Sequence, residues 1–297
     1  MSGERMMAAR LQLRVLRTLI DAIETLVREL WPLFRIYAGP WFVWVLVVLA
    51  LDWTWNRHQG PGGTPDAVLA LAFAPFAALI SVGVLRWLME PRDGFATFRP
   101  DWTWAWATAL YAVIGLLSFG ISRAGYAWIS VNADAILAGT QAGSSLGQRL
   151  TWFTVGVLPN WLAMLVAYVL LMPQTAVIVE RGAPSLQRQW QLMRLAPLSI
   201  LGVAVLIGVC RFGLSYGYAN LLLQVVDLDG PIANLSTGLP RDVAVGIWRA
   251  VLMLPAQFLG DGLALVVLAR VYQALAGYAD RTTEARPVPR DHLSGRE

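Results

Sequence analysis

Six apolar blocks, near residues 36–54, 67–88, 103–122, 152–178, 197–226 and 247–275, constrain this chain more than any other feature of its sequence. A helix rises about 1.5 Å per residue, so each block is long enough to cross the roughly 30 Å hydrocarbon core of a bilayer. Inside lipid the backbone must satisfy its own hydrogen bonds, which for blocks of this kind means helices. The sequence therefore predicts an all-α, polytopic transmembrane helix bundle with six spans. Composition agrees, because 57% hydrophobic against 14% charged residues leaves too little polar surface to coat a soluble globule. Three parts are expected: an amphipathic helix over 1–35, a six-span domain over 36–279, and a disordered tail over 280–297 that is charged and holds Pro287 and Pro289. The last two blocks have length to spare for tilting or bending, and Pro75, Pro159, Pro197 and Pro255 mark expected kinks. Charges throughout the first thirty residues argue against a signal peptide.

All 23 basic residues are Arg, and their distribution sets the expected orientation. Seventeen fall on the side that holds both termini and the second and fourth connections, and five on the other. Basic residues stay on the cytoplasmic face, so the expectation is N-in and C-in. Tryptophan marks the same boundaries, since indole prefers the headgroup level: Trp41, Trp53, Trp55, Trp87, Trp102, Trp104, Trp152 and Trp248 lie near block ends.

Ahead of the first block, Arg10, Arg14, Arg17, Asp21, Glu24 and Arg28 recur at steps of four and three, with Leu16, Leu19, Ile20, Ile23, Leu26, Val27 and Leu30 opposite them. That is an amphipathic helix, and Glu24 with Arg28 is the favourable i,i+4 order. A shorter one, with Arg188, Trp190 and Arg194, precedes the fifth block. Arg10, Arg14, Arg17, Arg28, Arg188, Trp190 and Arg194 are accordingly expected at the membrane surface, against anionic headgroups of the cytoplasmic leaflet. Docking of the first helix on a partner helix is the alternative. A protein partner is not readable from the sequence, and the Arg bias is no sign of nucleic-acid binding.

Depth singles out one pair of charges. Arg211 lies about 15 residues into the fifth block and Asp261 about 14 into the sixth from the other side, so both fall near the midplane, where an unpaired charge costs about 2.5–3.5 kcal/mol. Consecutive spans are usually neighbours, and the two are expected to pair. Gln257, Asn160, Ser215 and Tyr218 are possible polar neighbours, and Gly260 and Gly262 flank the Asp, where the helix backbone is open to loosening. A structural ion pair and a pathway for a polar substrate or proton are both compatible with this pattern. Gly213 and Gly217 add a GxxxG spacing on the opposite face.

Enzymatic readings find little. Gly143, Ser145 and Gly147 spell G-x-S-x-G, but a nucleophile elbow needs a preceding strand, and only His58 lies on that side to act as base. His58 and His292 fall on opposite sides, and Cys210 is the single cysteine, so no metal cluster is expected. Without Lys there is no Walker-type phosphate loop. No cofactor and no catalytic residue are expected, and a hydrolase built on Ser145 is a distant possibility.

The stretch Ala176-Val-Ile-Val-Glu180-Arg-Gly182, followed by Leu186-Gln-Arg188-Gln-Trp190-Gln-Leu192-Met-Arg194, resembles a junction in bacterial six-helix membrane proteins related to the membrane domain of glycerophosphoryl diester phosphodiesterases. The amphipathic entry over residues 19–37 is similar to theirs as well. Activity in that family's enzymatic members belongs to a separate soluble barrel, and with the chain ending at Glu297 none is expected here. The resemblance implies a membrane module of largely undefined role, and the chain is expected to be a bacterial inner-membrane protein that binds or scaffolds through its cytoplasmic amphipathic helices and the Arg211–Asp261 centre. The alternative is a secondary transporter or channel for a small polar or anionic solute, using Arg211 and Asp261.

Overall fold

A computed structural model of the protein describes residues 15–59, 65–90, 101–131, 145–151, 154, 158–225 and 241–284. These form helices α1 (Val15–Arg28), α2 (Leu30–Gln59), α3 (Asp66–Met89), α4 (Trp102–Val131), α5 (Leu146–Thr151), α6 (Leu158–Arg181), α7 (Leu186–Leu195), α8 (Pro197–Val225) and α9 (Arg241–Glu284). Among the described residues there is no strand.

Local chemistry explains where the helices stop. Gly182 adopts a left-handed φ of 71° and donates its N–H to Ile178 O at 2.8 Å, closing α6 in a conformation that costs glycine little. Ser185 then caps α7, its Oγ accepting the Arg188 N–H at 3.3 Å. Ala196 leaves the helical conformation, and Pro197, which has no N–H to lose, opens α8 after a bend of 95°. In α5, Ser145 and Gln148 cap one another: Ser145 N–H donates to Gln148 Oε1 at 2.8 Å, and Gln148 N–H to Ser145 Oγ at 3.3 Å. The hydroxyl of the G-x-S-x-G pattern is thus a helix cap. By contrast, α9 runs unbroken through Pro255, Gly260 and Gly262 and on to Glu284. The loosening expected at the two glycines does not occur. Gly262 instead admits a neighbour, because a Cβ there would lie 3.3 Å from Leu26 Cδ1.

The long helices neighbour one another in chain order, α2 on α3, α3 on α4, α4 on α6, α6 on α8 and α8 on α9, and α9 closes the ring against α2. Across the interior α9 also meets α3 and α6, which makes α3 and α9 the inner helices and α4 an outer one. Close approach of α3 and α4 depends on Gly115, where a Cβ would sit 3.2 Å from Ala70. The main core gathers Leu33, Ile36, Tyr37, Val84, Leu85, Val177, Leu192, Val266 and Val267, all toward the end that carries α1 and α7.

Among the described residues four helical stretches are long and apolar enough to cross a membrane: Leu30–Trp55, Asp66–Met89, Trp102–Gly125 and Val251–Gly277. A fifth is reached if the bent pair Leu186–Leu195 and Pro197–Cys210 counts as one span. The expected fourth block coincides largely with α6. Apolar side chains line the outer faces, among them Phe42, Val43 and Leu46 on α2 and Val113, Leu116 and Leu117 on α4, a surface suited to lipid and a liability in water. Stacks of an aromatic ring with an Arg four residues later lie near the ends of the apolar stretches: Trp31 with Arg35 at 4.8 Å, Trp53 with Arg57 at 5.5 Å and Phe119 with Arg123 at 5.3 Å. Trp31 and Trp53 are about 33 Å apart along α2, close to one hydrocarbon thickness.

The first amphipathic helix divides its surface three ways. Ala22, Thr25 and Leu26 are buried against the bundle, chiefly against α9; Ile20, Ile23, Val27 and Leu30 form an exposed apolar stripe; and Arg17, Asp21, Glu24 and Arg28 are exposed on the remaining side. Arg28 contacts Glu29 at 3.3 Å instead of the expected Glu24, because Glu29 is anchored at the break between α1 and α2, where it also accepts the Trp87 indole N–H at 3.3 Å.

Candidate functional site: polar latches along the last helix

Helix α9 carries polar side chains into the bundle at several levels, and each meets a different neighbour. At the level of the inner core, Tyr37 of α2 donates its hydroxyl to Asp261 Oδ2 at 2.8 Å. The phenol is held in place by packing: its ring lies edge-on to Phe258 at 5.6 Å and stacks with Trp41 at 5.9 Å. Lower down, Arg270 Nη2 donates to Thr25 Oγ1 at 2.9 Å, and Thr25 in turn donates to the Asp21 carbonyl at 2.7 Å, fastening α1 to α9. Gln273 Nε2 donates to Leu88 O at 3.3 Å near the end of α3.

The densest latch joins three elements. Glu180, at the end of α6, accepts Arg188 Nη2 from α7 at 3.2 Å and the Tyr272 hydroxyl from α9, with Arg181 Nε at 3.7 Å on its outer side. The turn at Gly182 and the Ser185 cap make this possible, since they fold α7 back so that Arg188 returns beside Glu180. Arg188 was expected at the membrane surface with Trp190 and Arg194; in the structure it turns away from those two toward Glu180. Its residue is only 7% exposed, because the carboxylate of Glu180 draws the guanidinium inward, whereas Trp190 is 54% exposed and Arg194 stacks over it at 4.8 Å.

The other expected residues fall as follows. Arg17 and Arg28 are exposed on α1, and Arg10 and Arg14 lie outside the described residues. Asp261 sits within the apolar stretch of α9 and Gln257, one turn earlier, is half-buried. Tyr218 is half-buried on α8, but the side chains of Arg211, Ser215 and Asn160 lie outside the described residues, as does any contact between Arg211 and Asp261. Sequence reasoning missed Tyr37, Thr25, Glu180, Arg270 and Tyr272. Only Glu180 gave a signal, as an acid just before a Gly-Ala-Pro-Ser turn with an Arg eight residues on.

Outside the spans, Asp101 caps α4, accepting the Trp104 N–H at 3.2 Å, and pairs with Arg86 at the far side of the 91–100 connection. Partial burial pushes its carboxyl up, but the hydrogen bonds from Arg86 and Trp104 and the Arg86 charge outweigh that and leave it below its usual value. Among the described residues no group of three or more His, Cys, Asp or Glu is arranged to hold a metal ion.

The described chain is all-helical, with four apolar helices able to cross a membrane, or five if the bent pair is one span, which is the build of an integral membrane protein. No family model matches it, and neither a curated protein nor a solved structure matches it.

Proposed function

We propose that the protein is a six-span inner-membrane module of a bacterium, N-in and C-in, that binds or scaffolds at the cytoplasmic leaflet. The observation that carries this reading is the use made of the polar side chains on α9. Asp261, Arg270, Tyr272 and Gln273 fasten α2, α1, α6 and α3 respectively, and Glu180 adds α7. Groups engaged helix to helix favour a locked bundle, and they fix two amphipathic helices as a rigid platform at one end. The apolar stripe of α1 and the Trp190–Arg194 stack of α7 face outward from that platform, suited to the headgroup boundary.

The transport alternative draws on Asp261, a half-buried acid within an apolar stretch, with Arg211 as its expected partner. Flux of small anions and polar solutes in proteoliposomes separates the two. The scaffold reading expects no flux above empty liposomes; flux that is lost in a stably folded Asp261→Asn variant would overturn it. A reporter fused after Gly143 should register as periplasmic, and a cytoplasmic signal there would sink the N-in arrangement.

A further inference from the structure

A groove of about 470 Å³ runs between α1 and α9, lined by Thr18, Asp21, Glu24, Thr25, Arg28 and Arg270, with Ala274 opening space one turn beyond Arg270. The charges in it do not cancel one another. Among the described residues neither Asp21 nor Glu24 forms an ion pair, Arg270 is bonded to a hydroxyl and not to a carboxylate, and Arg28 turns to Glu29 instead of Glu24. Two carboxylates and two guanidiniums thus share one groove with hydrogen-bonding capacity to spare. A purely anionic ligand would meet the two acids, and a purely cationic one the two guanidiniums.

We propose that this groove binds the zwitterionic headgroup of an aminophospholipid, with the phosphate at Arg28 and Arg270 and the ammonium at Asp21 and Glu24. Arg guanidinium suits the phosphate oxygens through paired N–H donors, and the carboxylates suit a primary ammonium. A lipid, and not a soluble zwitterion, fits the surroundings. On the helical wheel Glu24 borders Ile20 and Val27, and Val27 is 67% exposed, so acyl chains have an apolar stripe to follow directly beside the headgroup. Arg270 and Ala274 lie within the apolar stretch Val251–Gly277, near its end. The assignment to the cytoplasmic leaflet rests on the N-in orientation proposed above; recognition of the headgroup itself does not.

The test uses full-length protein in detergent, with short-chain phosphatidylethanolamine and phosphatidylglycerol competing for the site by native mass spectrometry. Phosphatidylethanolamine should be preferred about tenfold or more, and the double variant Asp21→Asn/Glu24→Gln should erase that preference. Both acids are exposed, so the variant should melt as the wild type does. Ala274→Leu, which fills the groove without touching a charge, should weaken phosphatidylethanolamine to a similar degree. Equal binding of the two lipids by the wild type, or an unchanged preference in both variants, overturns the proposal. Binding of glycerophosphoethanolamine as tight as that of the lipid overturns the choice of a lipid. These outcomes are independent of the Gly143 reporter and of solute flux, so failure here and failure of the scaffold reading are distinguishable.

Discussion

Tyr37→Phe removes one oxygen atom and leaves the packing in place, which makes it a clean probe of the bundle's inner latch. The ring keeps its contacts with Phe258 and Trp41, while the 2.8 Å hydrogen bond to Asp261 is lost. Two magnitudes compete. Hydrogen bonds to charged groups contribute about 1.5–3 kcal/mol in soluble proteins, whereas those between helices in a membrane bundle average about 0.6 and reach about 1.7 kcal/mol, because the separated helices find other partners. Asp261 lies in the apolar stretch and Tyr37 is fully buried, so the membrane scale governs, at its upper end. The expected cost is about 1.5 kcal/mol, roughly tenfold in the unfolding equilibrium. Cys210, the single cysteine, is half-buried against the main core, so a thiol-reactive dye reports unfolding in detergent without any engineered label. Tyr37→Phe, Asp261→Ala and the double variant form a cycle. A coupling below about 0.5 kcal/mol, the range in which unconnected sites add, would refute the latch.

The latch at Glu180 should respond at least as strongly, since Arg188→Gln removes a buried guanidinium from a partly exposed carboxylate: a loss of about 1.5–2 kcal/mol is expected, below the cost of breaking a fully buried pair. Amide exchange over residues 186–195 should quicken, while Glu180→Gln/Arg188→Met recovers much of the stability; unchanged exchange in Arg188→Gln would show that α7 is held by other means. Asp101 predicts a pH dependence. Its carboxyl is lowered from 3.8 on folding, so the Arg86–Asp101 clamp contributes fully above that value and is lost as pH falls through the folded-state value below it. Thermal midpoints measured from about pH 5 to about pH 3 should fall more steeply in the wild type than in Asp101→Asn.

What could be read from the sequence is what depends on near neighbours in the chain. The long helices follow from uninterrupted apolar runs, the amphipathic segments ahead of α2 and α8 from their polar and apolar spacing, and the bend before α8 from Pro197, whereas the turn at Gly182 and the Ser145–Gln148 cap were not anticipated. Partner choice was less accessible. An Arg on an amphipathic segment ordinarily points to the headgroups, and nothing in the local pattern says that Arg188 turns back to an acid across a glycine turn. The Tyr37–Asp261 contact depends on the first long helix closing the ring against the last, a pairing separated by 224 positions. Adjacency of α8 and α9 was expected and is present, yet it says nothing of which polar group Asp261 meets, because α9 touches α2 as well.

The placement of the latches also has a physical logic. Lipid tails are as apolar as leucine, so burying Val266 or Leu85 does little to choose one helix arrangement over another in a bilayer; close approach and polar contacts make that choice. Close approach is supplied by Gly115 against Ala70 and by Gly262 against Leu26. The polar contacts made by Glu29, Glu180, Arg188, Arg270, Tyr272 and Gln273 gather at the end that carries α1 and α7, with Tyr37 and Asp261 one level further in. A bundle determined in this way holds its amphipathic helices at fixed angles to α9. The α1–α9 groove is bounded by the same Thr25–Arg270 bond that helps dock α1, so a ligand that draws Arg270 from Thr25 leaves α1 held by the packing of Ala22 and Leu26.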